Sequence, residues 1–438
     1  MRSIGLDVHK RFAEVAIIEG KGPPDRRRIG TTPAALQAFA ATLRPDDQLV
    51  LEATMNTWAI ADVLRASGAR VVVSNPVRTR AIAEAKVKTD KVDALTLAQL
   101  LAADFVPEVW VPNDKVRALR RDVAARAALV RQRTQARNRA HAVLHRCLQD
   151  APVSDVFGTA GRSWLSALAL PVAERAQLEA ILRVHEAIEA EITLADRRLA
   201  EAALADERVD RLMSIPGIGA TTGLALVALI GDITRFRRPA KLVGYVGLDP
   251  RIHQSGERAA WIGSISRAGH AHSRSLLVEA AHAAVGGPGP LRAFFRRVQR
   301  RRGTQVALVA VARKLAVLVW YVLTTGERYR LERATLVRDK RNRLARTLGQ
   351  RTPRRRPAKG EPSLALRREH ELALLDEAES AYKANVAQWT QKDAAAANGE
   401  ATIQPSKGQD ARRSLRPQRS ALLTGSTASD EGGYASGA

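Results

Sequence analysis

The chain has 438 residues, enough for roughly two to four domains. Its 70 lysines and arginines outnumber its 45 aspartates and glutamates, and a formal charge of +25 favours a polyanionic partner, because neutralised phosphates release counterions. Nucleic acid is the first candidate, ahead of an anionic membrane surface or a merely solvated basic surface. The lone cysteine, Cys147, excludes an intramolecular disulfide and a thiolate zinc cluster.

No membrane partner is expected from the apolar segments. The first residues include Asp7 and no long apolar run, so they do not resemble a signal peptide. The longest apolar stretch, residues 306–323, is interrupted by Arg313 and Lys314, and this favours a buried helix over a membrane span. Together with the single cysteine, which fits a reducing compartment, this predicts a cytoplasmic protein.

Residues 1–112 alternate strand-like and helical patterns, which predicts a layered α/β domain. Strands are predicted at residues 3–8, 13–18, 48–52 and 70–74, and helices at 58–67 and 90–103.

Residues 113–205 have the pattern of two long helices that form a coiled-coil-like hairpin within one chain or pair between subunits. Apolar positions recur at heptad spacing, and the first helix also carries nine arginines, which makes it a candidate nucleic-acid face. The first seam comprises Val116, Val123, Val130 and Leu144 with Ala127, Thr134, His141 and Leu148, and the second comprises Leu178, His185, Ile192 and Leu199 with Ile181, Ile188, Ala195 and Ala202.

Two further regions complete the chain. Residues 206–330 are predicted to form a mostly helical domain with a glycine-rich insert from Leu242 to Gly269. Residues 331–438 are basic and of biased composition, and a largely disordered tail is expected, with a short helix plausible at residues 364–389.

Four carboxylates in the first region carry a chemical hypothesis. Asp7 lies in the first strand, Glu52 ends a central strand, and Asp90 and Asp93 share one face at a helix start. Phosphoryl transfer assisted by two hard cations needs carboxylate oxygens in such a cluster. Each acid alone is more often a solvated group, and Asp90 could equally be a helix cap.

The sequence motifs around these acids resemble those of a known family. Ile4-Gly5-Leu6-Asp7-Val8-His9-Lys10, Leu51-Glu52-Ala53-Thr54, Asn75-Pro76 and Lys88-Thr89-Asp90-Lys91-Val92-Asp93-Ala94 are similar to the DEDD transposases of insertion-sequence family 110, a group that includes Piv-type DNA invertases. The resemblance continues over residues 1–325 through Ile215-Pro216-Gly217-Ile218-Gly219, Gly247-Leu248-Asp249-Pro250, Ser255-Gly256 and Ile265-Ser266-Arg267-Ala268-Gly269.

The resemblance implies a fold, a metal and a reaction. The first domain would be RNase H/RuvC-like and would bind Mg²⁺ through Asp7, Glu52, Asp90 and Asp93, while the C-terminal transposase domain would supply a serine nucleophile. It also implies donor and target DNA as substrates and dimers or tetramers as the assembly. In several members a structured non-coding RNA chooses the DNA sites.

Three serines are candidates for the nucleophile on the residues alone: Ser255, Ser264 and Ser266. The resemblance favours Ser255, and Gly256 beside it supplies backbone freedom. Ser266 precedes Arg267 and fits a phosphate contact or a helix cap better.

Nucleic-acid contacts are expected at two glycines and at nearby basic residues. The Ile215–Gly219 segment resembles the hairpin of a helix-hairpin-helix element, in which backbone N–H groups approach a phosphate, although a simple glycine turn has the same pattern. The expected contacts are Gly217, Gly219, Arg237, Arg238, Lys241 and Arg267, with further candidates at Arg235, Arg274, Arg296, Arg297 and Arg300 to Arg302.

The sequence thus predicts a DNA transposase or site-specific recombinase that uses Mg²⁺ and Ser255. Two alternatives stay open. A RuvC-like nuclease would use metal-activated water and no serine, and a degraded transposase would only bind nucleic acid.

Overall fold

The computed structural model describes residues 1–83, 89–254, 256, 261–350 and 362–400. Its N-terminal part is built on a five-stranded sheet of β1 (Ser3–Val8), β2 (Phe12–Ile18), β3 (Asp25–Gly30), β4 (Gln48–Glu52) and β5 (Arg70–Ser74). The strand order is β3-β2-β1-β4-β5; β1 to β3 are antiparallel neighbours, whereas β1, β4 and β5 run parallel. The prediction of an α/β domain here is confirmed.

Both faces of the sheet are covered by helices. Ile4, Leu6 and Val15 pack into a core with α1 (Pro33–Ala40) and α2 (Thr57–Arg65). The opposite face carries Ala16 and lies against α4 (Asp90–Ala102), and α3 (Pro76–Ile82) follows β5. Strand β3 was not predicted, because an edge strand with four exposed residues shows no apolar alternation.

Two 33-residue helices, α5 (Asp114–Arg146) and α7 (Val172–Leu204), pack antiparallel within the chain, with α6 (Thr159–Ala167) between them in sequence. Their direction is shown by ion pairs from Arg126 to Asp196 and from Arg146 to Glu174. Most α5 arginines therefore serve packing or ion pairs, and this argues against the helix as one continuous nucleic-acid face.

The predicted seam is only partly right on α5. Thr134 and His141 are exposed, as is Leu148 just beyond the helix, whereas Ala136 and Ala140 are buried. The buried face of α5 shifts because its second half also packs on Val156, Phe157 and Leu165, which the heptad pattern could not anticipate.

The next helices share one core. They are α8 (Glu207–Leu212), α9 (Ala220–Ile230), α10 (Pro239–Tyr245), α11 (Ala271–Val285), α12 (Pro290–Arg302) and α13 (Thr304–Thr325), and a hairpin of β6 (Pro250–His253) and β7 (Trp261–Ile265) lies between α10 and α11. By length and composition α13 could cross a membrane, but Val311, Leu315 and Val319 are buried against this core. The prediction of a buried helix fits that packing.

Two helices lie in the segment after residue 331, where a largely disordered tail was expected: α14 (Ala334–Thr347), which was not predicted, and α15 (Leu364–Glu400), which begins where the short helix at residues 364–389 was expected. Lys340 of α14 donates from Nζ to the backbone oxygens of Met213 (2.6 Å) and Ile215 (3.0 Å). Glu371 of α15 accepts from the N–H and hydroxyl of Thr335. These contacts are tertiary, so the charged composition of the segments gave no sign of them.

Glu379 of α15 is the buried centre of the contact with α12. Its Oε2 accepts from the Gly289 N–H (3.0 Å) and from Arg292 Nε (2.8 Å), and only 2% of its side chain is exposed. Burial alone would raise the pKa of Glu379, but Lys383, the Gly289 N–H and Arg292 outweigh it and lower the pKa to about 2.

Glu379→Gln is expected to lower the stability of the docked α15 by about 2 kcal/mol, because it removes the charge that two cations share. The folded pKa lies below the ordinary value of 4.5. The contribution is therefore complete above that value and is lost as the pH falls toward 2. Unfolding measured on wild type and variant should differ clearly at pH 7 and by less than half as much at pH 3. Equal differences at both pH values would contradict this origin.

Candidate active site

Two acids lie at the carboxyl edge of the parallel strands. Leu6 of β1 pairs with Leu51 of β4, so the next residues, Asp7 and Glu52, stand at one level of the sheet. Residues at paired positions on adjacent strands project on the same face. The strands thus bring together the two carboxylates that are 45 positions apart in the sequence.

The other two acids arrive on α4, which runs back along β1. Gly5 makes this possible: a Cβ at Gly5 would lie 2.1 Å from the Ala94 oxygen and 2.5 Å from the Ala98 nitrogen. With no side chain there, α4 lies directly on the strand, and its first turn, with Asp90 and Asp93, reaches the level of Asp7. Thr89, not Asp90, is the helix N-cap.

Asp7, His9 and Asp90 form a compact cluster whose potential ligand atoms all lie within 4.8 Å of one another. Nε2 of His9 stands between the carboxylates, 3.1 Å from Oδ2 of Asp7 and 3.2 Å from Oδ2 of Asp90. The side chain of Asp7 is 19% exposed and that of Asp90 is 47% exposed, so the cluster is open on the α4 side.

The electrostatics of the cluster suit a cation. Burial raises the pKa of Asp7, His9 opposes this, and the charges of Asp90 and Asp93 raise the pKa further. Carboxylates that repel one another in a half-buried site are stabilised by a divalent ion, for which such oxygens are preferred ligands. The residues therefore fit a metal held by Asp7 and Asp90, with Glu52 and Asp93 at the same edge.

His9 is the member of the cluster that the sequence prediction of ligands left out. A signal for it exists, because His9 directly follows the strand that carries Asp7 and lies only two residues from that carboxylate. Its ring also stacks on Phe12, with centroids 4.8 Å apart. His9 therefore offers a third potential ligand atom beside the two carboxylates.

Ser255, the predicted nucleophile, lies outside the described residues. The strands on either side in sequence, β6 and β7, form an antiparallel hairpin, and Gly256 has a left-handed φ of +59°, which favours glycine. Ser264 is exposed on β7. Ser266 donates its hydroxyl to Oδ1 of Asp249 (2.6 Å), a contact that ties the base of the hairpin together.

Two models of transposase families match the segments that hold these features. The first model covers residues 4–148; it is of the IS110 DEDD type and is described as a transposase. The second model covers residues 209–296 and is described as the transposase IS116/IS110/IS902 family. The first includes the acidic cluster and the second the hairpin. The chain belongs to the IS110 family of transposases.

Curated relatives of this IS110-family chain have transposition and inversion in their names. A transposase of insertion sequence element IS1111A from Coxiella burnetii is 36% identical over 31% of this chain, and the alignment spans only 38% of that relative's length. A transposase of element IS1328 from Yersinia enterocolitica is 26% identical over 74% of this chain and 97% of its own length. A pilin gene-inverting protein of Moraxella bovis is 27% identical over 63% of this chain and 79% of its own length.

The residues predicted to contact nucleic acid occupy different settings in this family member. Arg237, Arg238 and Lys241 are exposed at the start of α10, and Arg267 is exposed after β7. The hypothesis that these four contact nucleic acid remains a prediction.

The two glycines of the turn before α9 differ from each other. Gly217 has a φ of +82°, and a Cβ there would lie 2.0 Å from the Ala280 oxygen, so close packing on α11 alone requires a glycine. Gly219 is the N-cap of α9 and lies in open space, and both glycines border a cleft that Arg126 and Arg343 also line. A phosphate contact is therefore easier to accommodate at Gly219 than at Gly217.

Arg235, also considered for the DNA backbone, faces inward instead. Its guanidinium lies 4.4 Å from the ring of Trp110 and 4.6 Å from that of Tyr245. Trp110 packs directly on the backbone of Gly231, because a Cβ at Gly231 would lie only 2.3 Å from a carbon of the Trp110 ring. This contact joins the end of the sheet domain to the C-terminal helices. Arg274 is likewise directed to a backbone oxygen, that of Val246.

Proposed function

We propose that this chain is a DNA transposase or site-specific recombinase that cuts and rejoins strands with Mg²⁺ at its acidic cluster and Ser255 as nucleophile. The observation that carries the proposal is the convergence of Asp7, His9 and Asp90 at the carboxyl edge of the sheet, within the segment that matches a transposase family model. Glu52 and Asp93 complete the acidic set.

The reaction would proceed by two exchanges at phosphorus. The Ser255 hydroxyl gives up its proton and its oxygen attacks the phosphodiester to form a phosphoserine bond, while the bond to one DNA end breaks and that end takes up a proton and leaves as a hydroxyl. The hydroxyl of a second DNA end then attacks the phosphoserine and restores the serine. When bound, a divalent cation supplies charge stabilisation for the phosphoryl oxygens.

The chain's own residues would hold this reaction in place. Asp7 and Asp90 would provide the anionic oxygens that hold the cation, and Nε2 of His9 is a third potential ligand beside them. Gly5 sets the distance between the two ligand-bearing elements.

The proposed partners follow from the family and from the charge. Donor and target DNA would be the substrates, a structured non-coding RNA would select the sites, and a dimer or tetramer would bring one subunit's serine to another's acidic cluster. The net charge of +25 suits a complex with two nucleic acids. The protein would act in the bacterial cytoplasm.

A covalent-trapping experiment tests the proposal. Protein with its co-purifying RNA is mixed with Mg²⁺ and a labelled DNA duplex spanning the ends of its own element, and the products are separated under denaturing conditions. A DNA-linked protein band is expected for wild type and for Ser264→Ala, a matched control on the same hairpin, and is expected to be absent for Ser255→Ala.

Other outcomes decide against the serine or against catalysis. Cleavage that persists in Ser255→Ala with no covalent band in any protein would replace the serine by metal-activated water. Salt-sensitive binding of DNA with no cleavage by any variant would indicate a protein that only binds nucleic acid.

A further inference from the structure

A row of polar residues crosses the sheet at the level of the acidic cluster. Asp7 of β1 pairs with Glu14 of β2, and Glu14 pairs with Arg28 of β3. Side chains at paired positions project on one face. Arg28 therefore shares the face of Asp7, two strands away, which is roughly 10 Å at the usual spacing between strands.

Arg28 is held by two neighbours. Its Nε donates to Oε1 of Glu14 (2.7 Å), and its Nη2 lies 2.5 Å from the same oxygen. Its guanidinium also lies 4.2 Å from the centre of the Phe12 ring. Glu14 is buried, with 4% of its side chain exposed, whereas 59% of Arg28 is exposed. A buried acid and a ring thus fix an arginine whose outer edge faces solvent.

The ordinary explanation for arginines on β3 is that charges protect the edge of a sheet from pairing with another chain. Arg27 fits this explanation: it pairs with Val15 across the strands, so it faces away from the acidic cluster, and its ion-pair partner is Asp25 on the same strand. Protection of an edge does not require the buried Glu14 or the stack on Phe12. Those two contacts cost desolvation and order, which a merely solvated charge avoids.

We propose that Arg28 is a phosphate-binding residue that holds the DNA backbone about one or two nucleotides from the phosphate at the acidic cluster, with Glu14 as its positioning residue. The guanidinium fork suits phosphate oxygens, and a preoriented fork loses little entropy on binding. Arg26, exposed and on the same face two residues earlier, extends the path along the edge strand. This inference rests on the proposed function.

The first test compares Arg28→Ala with Arg27→Ala, which removes the same charge from the opposite face of the same strand. Arg28→Ala is expected to weaken binding of the DNA duplex about 10-fold. It should also reduce the slope of the logarithm of the binding constant against the logarithm of the salt concentration by about 1, as expected for the loss of one phosphate contact. Arg27→Ala should change binding less than about 2-fold. Equal losses in both variants would overturn the proposal, because net charge alone would then explain them.

The second test locates the phosphate. Single phosphates of the duplex are replaced by uncharged methylphosphonates near the cleavage site, and cleavage is measured with wild type and with Arg28→Ala. One position is expected where the replacement slows wild type about 10-fold and does not slow Arg28→Ala further. Additive effects at every position would refute the contact.

A third variant separates binding from folding. Arg28→Ala leaves Glu14 buried and unpaired, so the double variant Glu14→Gln/Arg28→Gln supplies an uncharged pair instead. It should show the same positional effect as Arg28→Ala. Wild-type cleavage that requires Asp7 but not Arg28 would reject only this inference, whereas cleavage that is independent of Asp7 would reject the proposed function itself.

Discussion

Asp7→Asn is expected to reduce Mg²⁺-dependent strand cleavage on the order of 10³-fold, because several kcal/mol of charge stabilisation depend on a correctly held cation. Asp7 stands within the sheet and contacts His9, which in turn contacts Asp90. Asparagine keeps the size of the side chain but removes the charge. The loss should appear in the rate of cleavage by the protein that carries its RNA.

The thermal stability of Asp7→Asn provides an independent test of cation binding at Asp7. The pKa of Asp7 is raised by burial and by its acidic neighbours, so its charge destabilises the fold when no cation is bound. Asp7→Asn should therefore unfold at the same or a higher temperature than wild type without Mg²⁺. Wild type should be stabilised by added Mg²⁺, and the variant should not.

Asp104→Asn is a matched control, since Asp104 is an exposed acid in the loop after α4 with a left-handed φ of +51°, which asparagine tolerates. It should cleave at the wild-type rate and keep the response to Mg²⁺. If Asp7→Asn retained cleavage within about 3-fold of Asp104→Asn, the acidic cluster would not be where the reaction is stabilised.

The sequence was most informative where structure is set locally. The strand-like patterns of residues 3–8 and 13–18 predicted the first two strands, and the helical periodicity of residues 90–103 predicted α4. Their places on strands and on one helix face suggested Asp7, Glu52, Asp90 and Asp93 as a set, and the resemblance to a family made that set specific. The register of β1 and β4 then explains why Asp7 and Glu52 lie at the same level of the sheet.

Contacts between distant segments could not be predicted in this way. Nothing in the composition of α14 marks Lys340 as a residue that donates to the backbone before α9. The arginines of β3 look alike in the sequence, and only pairing with β2 separates Arg28 from Arg27. Likewise, the exposed Thr134 on α5 follows from a third packing partner, which a heptad pattern does not include.

Gly5→Ala is expected to disrupt the site without removing any functional group. The new methyl carbon would lie 2.1 Å from the Ala94 oxygen and 2.5 Å from the Ala98 nitrogen. Both are backbone atoms, so no side chain can rotate away, and α4 must move off β1. Overpacking of this kind costs about 3 kcal/mol, and a displacement of about 1 Å at a reacting group can cost about 10²-fold in rate.

Gly22→Ala isolates the steric origin of this effect. A Cβ at Gly22 would meet only the Glu19 oxygen, at 3.8 Å, so this variant should keep wild-type stability and cleavage. The backbone of Gly5 lies in an ordinary strand, so alanine there adds no conformational strain. Thermal unfolding and cleavage are measured for both variants. If Gly5→Ala matched Gly22→Ala in both, close packing of α4 on β1 would not be what brings Asp90 and Asp93 to Asp7.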